Sequence, residues 1–163
     1  MSVLEKNNEL QGDLGETIFK HFCNNRQYAY IKLEKIYNTF TPDNKLIFNY
    51  GFNRVEVTIP DKICEEIRET CMPSNKNNNS PSFKVDFLTV AMRYDFTSQE
   101  GTWVHPPDLR ISAFKWVEIK TGNGRLTKNQ RDFIKKEGGK ITRKIFRIHA
   151  EFPEQFEIKE ESI

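Results

Sequence analysis

Glu118 and Lys120 stand two residues apart in the apolar run W-V-E-I-K-T-G of residues 116–122. The Trp, Val and Ile side chains of this run, and the glycine that ends it, predict a buried β-strand. Because strand side chains alternate between two faces, Glu118 and Lys120 share one face and the neighbouring apolar side chains fill the other. Burying charged groups is costly unless they are paired. The pattern therefore favours a site in which Glu118 holds a divalent metal ion and Lys120 steers a phosphate or an attacking water. An edge strand with both side chains in solvent is the simpler alternative.

A helix follows this strand and carries Gln130. Thr127 has the position of an N-cap, and Gln130 lies three residues later, which is the capping-box pattern. The pair Gly138-Gly139 ends the helix. Gln130 shares one side of the helix with Phe133, so it points to the sheet near the end of the Glu118 strand. There it could contact a metal-bound water or a nucleotide, and a role in capping alone is the alternative.

The segment around these residues is strongly basic. From Lys115 to Arg147 the chain has eleven lysines and arginines against three acids, although the net charge of the whole chain is only +2. A basic segment around a candidate metal site is typical of a surface that binds a phosphate backbone. A solvated basic face without a ligand is the alternative. The predicted phosphate contacts come from four residues in or before the helix: Arg125, Lys128, Arg131 and Lys135.

The run V-E-I-K-T-G-x-x-R-L-T-x-x-Q, residues 117–130, resembles the core of the PD-(D/E)xK nuclease superfamily. The resemblance is closest to the branches related to archaeal Holliday junction resolvases and to virus-type replication-repair nucleases. It covers residues 116–134, about a fifth of the chain. It implies a restriction-endonuclease-like α/β (α+β) fold, with an α-β-β-β-α-β core and a mixed central sheet flanked by helices. It also implies Mg²⁺-dependent cleavage of phosphodiester bonds, an acid on the strand before Glu118, and a glutamate on the first helix.

The first helix and the first strand of such a core can be placed in the sequence. Apolar residues recur every four positions from Leu14 and predict a helix over 13–23, after a polar, frayed N-terminus at 1–12. Glu16 lies on this helix beside the apolar stripe and matches the glutamate that the resemblance implies. An ordinary surface glutamate is the alternative. Large side chains alternate over 28–36, which predicts the first core strand.

Two aspartates can supply the acid on the neighbouring strand. Asp86 lies within an apolar run that predicts a buried strand, whereas Asp108 follows two prolines and lies ten residues before Glu118. Directly opposed residues of antiparallel strands have Cβ atoms about 4.5–5.5 Å apart, so either aspartate could share a metal ion with Glu118. An Asp86–Glu118 pair would place Leu88 opposite Trp116, whereas an Asp108–Glu118 pair would make a tight hairpin. Both pairings remain open from the sequence.

Residues 38–81 are not required by the minimal core and are predicted to form an insertion. Two runs at 45–50 and 54–59 flank a glycine-containing turn and predict a hairpin. The pair Pro60-Asp61 begins a short amphipathic helix, and the aperiodic stretch 73–81 predicts a mobile loop.

Length and composition indicate a single domain. The 163 residues can bury one core, with a loose acidic tail at 153–163. No apolar run approaches the ~18 residues of a membrane helix, and the first residues lack the apolar stretch of a signal peptide. A cytoplasmic, DNA-associated protein is therefore expected. Three cysteines without a C-x-x-C pair predict reduced thiols and argue against a structural zinc site.

The leading hypothesis is a metal-dependent DNA endonuclease of the junction or repair type, or of the restriction or homing type. Mg²⁺, which Mn²⁺ can replace, would be held by carboxylates and one backbone carbonyl, and a lysine and an amide would complete the site. These predicted groups are Asp86 or Asp108, Glu118, the Ile119 carbonyl, Glu16 acting through water, Lys120 and Gln130. Cleavage of duplex or branched DNA favours a homodimer. The alternative is a catalytically inactive nucleic-acid-binding protein with the same fold.

Overall fold

The computed structural model describes residues 3–73, 82–92, 110–149 and 159–160. Its helices and strands, in chain order, are α1 (Val3–Arg26), β1 (Tyr28–Lys32), α2 (Leu33–Thr39), β2 (Lys45–Tyr50), β3 (Asn53–Thr58), α3 (Asp61–Thr70), β4 (Phe87–Ala91), a 3₁₀ turn (Ile111–Ala113), β5 (Phe114–Thr121), α4 (Lys128–Lys135) and β6 (Thr142–Ile148). None of the helices in these ranges is long and apolar enough to cross a membrane.

The six strands form one mixed sheet in the order β3-β2-β1-β4-β5-β6. Neighbouring strands are antiparallel except β5 and β6, which are parallel and are connected through α4. A parallel pair needs such a crossover, because the chain must return to the same end of the sheet. Without the segment from α2 to α3, the elements run α-β-β-β-α-β. The predicted mixed sheet flanked by helices is therefore confirmed.

Each face of the sheet is covered by helices. On one face, Phe19 and Cys23 of α1 pack against Phe87 and Val117 of the central strands. On the other face, a larger cluster joins the sheet to α2, α3 and α4, and Trp116 is completely buried in it beside Phe133. Since strand residues alternate, Val117 faces α1 while its two neighbours, Trp116 and Glu118, face α4. This alternation aims the Glu118 carboxylate towards α4.

The register of β4 and β5 is the one that an Asp86–Glu118 pair requires. Leu88 lies opposite Trp116, as predicted, and Phe87 lies opposite Val117. The paired residues end at Phe87 and Val117, and Asp86 lies in the bend immediately before β4. The backbone N–H of Asp86 donates to the carbonyl of Val117 at 3.0 Å, which holds Asp86 next to the Glu118 strand at the point where the ladder ends.

β1 is shorter than predicted. The alternation of side chains over 28–36 predicted a single strand, but the strand ends at Lys32 and α2 begins at Leu33. Leu33 and Ile36 are both buried in the same cluster. They are three residues apart, so a helical turn places both against the core, whereas a strand would place them on opposite faces.

Other boundaries also differ from the predictions. α1 begins at Val3 instead of Asp13, so most of the segment predicted to be frayed is helical. β4 begins at Phe87, within the longer strand predicted over the apolar run, because residues 84–86 form a bend. The predicted mobile loop, apart from Pro73, and most of the predicted acidic tail lie outside the described residues.

The predicted insertion contains the expected hairpin and helix, but it is not a separate appendage. β2 pairs with β1 where Asn49 lies opposite Tyr30, so the hairpin extends the main sheet. Ile63 and Ile67 of α3 are fully buried in the same cluster as Trp116. The insertion therefore contributes to the core of the domain. Its two cysteines and Cys23 are buried and are not in disulfides, as the sequence predicts.

Candidate active site

The sheet has a notch at one end, where β5 extends beyond the first residue of its partner β4. β5 continues to Thr121, whereas its partner β4 begins at Phe87, opposite Val117. Residues 119–121 therefore have no partner strand on that side within the described part of the chain. β1 ends on the other side of the gap at Lys32. We call this gap the notch, and the candidate site residues lie around it.

Glu118 is the most buried charged side chain at the notch, with a relative exposure of only 2%. Its Oε1 atom accepts a hydrogen bond from Gln130 Nε2 at 2.5 Å and lies 3.1 Å from Lys120 Nζ. Its Oε2 atom is also buried, and it has no hydrogen-bond partner among the residues that the structure describes. Burial, and then the negative charge of Asp86, raise the pKa of Glu118 to about 7, while Lys120 acts in the opposite direction.

Asp86 is fixed by hydrogen bonds to β5 on one side and to the first residue of α2 on the other. Its N–H donates to Val117, its carbonyl accepts from Leu33 N at 3.2 Å, and its Oδ2 accepts from Ile119 N at 2.7 Å. Burial raises the pKa of Asp86, and the hydrogen bond from Ile119 opposes that rise. Because N–H and C=O groups of one strand residue point to the same side, the Ile119 carbonyl is also directed towards Asp86.

Gln130 completes the predicted capping box and also donates a hydrogen bond to the Glu118 carboxylate. Its Oε1 accepts from the Thr127 N–H at 2.9 Å, and its own N–H donates to Thr127 Oγ1 at 3.3 Å, which completes the capping box. Its Nε2 is then free to donate to Glu118. The cap of α4 therefore orients an amide donor onto the buried carboxylate.

The turn between β5 and α4 is held by Arg147, a residue that the sequence did not single out. Its Nη1 donates to the carbonyls of Gly122 and Gly124, at 3.0 and 2.8 Å. Gly122 has φ +52°, a conformation that disfavours any residue with a Cβ. Arg147 lies opposite Lys120 in the parallel β5–β6 pair, and only that long-range register brings it to the turn.

Glu16 lies at the notch, where the resemblance predicted it, but its carboxylate is paired with a lysine. Glu16 Oε2 lies 2.7 Å from Lys32 Nζ. The preceding residue, Gly15, packs so closely on β5 that a Cβ built on it would lie 2.6 Å from the Thr121 Cγ2 atom. Lys32 was not predicted as a site residue. Nothing in the sequence singles it out, because residue 32 lies in the middle of the strand predicted over 28–36.

The four predicted phosphate contacts, Arg125, Lys128, Arg131 and Lys135, are all exposed. One of them also has a structural contact, because Arg131 Nη1 donates to the carbonyl of Leu126 at 3.1 Å. Asp108, the alternative to Asp86, lies outside the described residues. A cavity of about 640 Å³ lies between α3 and α4, but none of the residues at the notch lines it.

The donor set can be compared with what a divalent metal ion needs. Within the described ranges, no group of three His, Cys, Asp or Glu side chains is placed to hold a metal. Mg²⁺, however, is commonly bound by one or two carboxylates and completes its shell with water and substrate phosphate. Asp86, Glu118 and the Ile119 carbonyl meet that smaller requirement. The buried Glu118 Oε2, which has no hydrogen-bond partner in the described part of the chain, is the kind of atom that such an ion would bind.

The chain matches no protein-family model, no curated protein and no solved structure. Its chemistry must therefore be inferred from the geometry of the notch.

Proposed function

We propose that the protein is a metal-dependent nuclease that hydrolyses phosphodiester bonds of DNA, with a PD-(D/E)xK-type site on a restriction-endonuclease-like core. The observation that carries the proposal is the neighbouring carboxylates of Asp86 and Glu118, with Lys120 Nζ 3.1 Å from Glu118 and one buried Glu118 oxygen that has no hydrogen-bond partner among the described residues. Two adjacent carboxylates, one buried and one half-buried, destabilise a fold unless cations compensate their charges. A site for a divalent cation explains why the chain brings them together.

Asp86, Glu118 and the Ile119 carbonyl would hold Mg²⁺ or Mn²⁺. The ion would act as a Lewis acid on the phosphate and would lower the pKa of a bound water. In the hydrolysis, the water oxygen bonds to phosphorus, the bond from phosphorus to the leaving ester oxygen breaks, and that oxygen takes up a proton.

The side chains of the protein orient the reactants. Lys120 can stabilise negative charge on the phosphate or orient the water, since its ammonium is held at the notch by Glu118. Gln130 fixes the orientation of the Glu118 carboxylate through a donor whose other end is locked into a helix cap. The exposed basic residues in and before α4 would bind flanking phosphates, which supplies affinity without sequence readout. Cleavage of both strands of a duplex would use two copies of the chain, as in a homodimer.

The exposed basic residues in and before α4 also favour a second candidate, a DNA-binding protein without catalytic activity. Such a protein would bind DNA with a steep dependence on salt and without any need for metal.

The deciding experiment is a cleavage panel of supercoiled plasmid, linear duplex, single strand, flap and four-way junction, each with Mg²⁺, Mn²⁺ or EDTA. We expect metal-dependent cleavage that Lys120→Ala and Asp86→Asn each reduce about 100-fold or more. Lys35→Ala, which removes an exposed lysine from α2, is the matched control and should cleave like the wild type. Cleavage that both site variants leave unchanged would refute the proposal. DNA binding in EDTA without any cleavage would establish the second candidate.

A further inference from the structure

Lys32 is a second lysine at the notch, on the side opposite Lys120. It is the last residue of β1, and its ammonium is 2.7 Å from the Glu16 carboxylate. The side chains of Lys32 and Glu16 are 35% and 28% exposed, so both are partly enclosed while still reachable from solvent. Lys32 also lies over the Phe87 ring, with Nζ 5.9 Å from the ring centre. A lysine held on two sides in this way is more restricted than a free surface lysine.

The position of Lys32 relates it directly to the carboxylate pair. Lys32 lies opposite Phe87, and Phe87 lies opposite Val117, the residue before Glu118. The backbones of Lys32 and Val117 are therefore two strand spacings apart, or about 10 Å. The residue after Lys32, Leu33, donates its N–H to the carbonyl of Asp86 at 3.2 Å, so Lys32 lies beside Asp86. An anion bound between Asp86 and Glu118 would therefore lie within electrostatic range of Lys32.

A nucleic-acid strand offers phosphates at matching intervals. Successive phosphates of one strand advance about 3.4 Å along a duplex, so about 10 Å reaches a phosphate within about three nucleotides of the bound one. The lysine ammonium has three donors, and Glu16 accepts from one direction only, so donors remain for a phosphate oxygen. The basic residues of α4 lie on the other side of the carboxylate pair, which gives a strand contacts on both sides of the notch.

We propose that Lys32 binds a backbone phosphate close to the scissile one, and that Glu16 is a positioning residue that holds Lys32 over the notch. The substrate strand then crosses the notch from α4 to α1. This inference rests on the proposed nuclease function and adds a specific contact to it. It differs from the role that the resemblance implies for Glu16, since the glutamate acts through Lys32 instead of through a metal-bound water.

The first test measures binding without metal, so that it does not depend on catalysis. The affinity for a fluorescent 20-base-pair duplex is measured in EDTA over a series of salt concentrations, for the wild type, Lys32→Ala, Lys32→Arg and Lys35→Ala. Loss of one phosphate contact should reduce the slope of log affinity against log salt by about 0.9. We expect this reduction for Lys32→Ala, and wild-type slopes for Lys32→Arg and for the exposed control Lys35→Ala. A wild-type slope for Lys32→Ala would overturn the inference.

The second test separates the two roles of Glu16. If Glu16 positions Lys32, Glu16→Gln should raise KM for cleavage, leave kcat unchanged, and leave the affinity for Mn²⁺, measured by calorimetry, as in the wild type. A weaker Mn²⁺ affinity with a lower kcat would show that Glu16 serves the metal and would overturn its positioning role. The nuclease proposal fails separately, through absence of cleavage by the wild type, whereas the salt slopes test Lys32 in either case.

Discussion

Replacing Glu118 with glutamine should make the metal-free protein more stable at pH 8 while abolishing cleavage. In the folded chain the pKa of this carboxyl is raised from 4.5 to about 7, chiefly by burial and then by the charge of Asp86. The folded state therefore binds a proton between these two values that the unfolded state has released. The contribution of the Glu118 carboxyl to the free energy of unfolding is therefore fully present below pH 4.5, and it is lost as the pH rises to about 7.

The size of this effect follows from the two pKa values. A change from 4.5 to about 7 corresponds to about 3 kcal/mol of unfolding free energy lost by pH 8. Glutamine keeps the oxygen that Lys120 and Gln130 contact, but it has no proton to lose, so the variant avoids this loss. For a domain of this length, about 3 kcal/mol corresponds to a gain in Tm of roughly 6–12 °C.

The assay is thermal unfolding followed by circular dichroism in EDTA at pH 5 and pH 8. The gain should be large at pH 8 and small at pH 5, where Glu118 in the wild type is largely protonated. Glu137→Gln, at an exposed position after α4, is the control and should shift Tm at neither pH. The reasoning is refuted if Glu118→Gln is no more stable than the wild type at pH 8, or if its gain is equal at both pH values.

Two further variants test how the site is positioned. Thr127→Ala should lower the free energy of unfolding, measured in urea, by about 1 kcal/mol, because it removes one of the two capping-box hydrogen bonds. Thr127→Ser keeps the hydroxyl and should retain most of the wild-type stability. Equal stabilities of the two variants would contradict the assigned cap. Gly15→Ala should destabilise by about 1–3 kcal/mol, because its Cβ would lie 2.6 Å from Thr121 Cγ2. A Cβ built on Gly12 of the same helix has no atom within 4 Å, so Gly12→Ala should stabilise the protein by up to about 1 kcal/mol. A similar effect of the two substitutions would show that α1 does not pack on β5 as described.

The segment from β5 to α4 could be predicted because its signals are local. A short apolar run, a glycine turn and a capping box specify strand, turn and helix within a few residues of each other, and the structure contains each of them. The β4–β5 register followed from a single assumption, that Asp86 lies opposite Glu118, since that pairing also matches the large apolar side chains. Because the register of a ladder is fixed, one assumed pair specifies the partner of every other residue in it.

Contacts between distant parts of the chain could not be predicted in this way. The Glu16–Lys32 pair depends on how α1 crosses the end of β1, and the contacts of Arg147 depend on a parallel register set by α4. The end of β1 was misplaced for a different reason. Alternating and helical spacings fit the residues after Lys32 about equally well, and burial of Leu33 and Ile36 decided between them.

The insertion has a consequence for the order in which the chain can fold. β1 ends at Lys32 and β4, its central partner, begins at Phe87, so the hairpin of β2 and β3 and the helix α3 lie between two strands that must pair. Pairing β1 with β4 closes a long loop, and the chain loses entropy before any contact across the loop forms. Such contacts between distant residues raise the contact order and slow folding. The β2–β3 hairpin joins nearby residues and carries no such cost. We therefore expect the carboxylates to meet late, when β4 enters the gap between strands that have already formed.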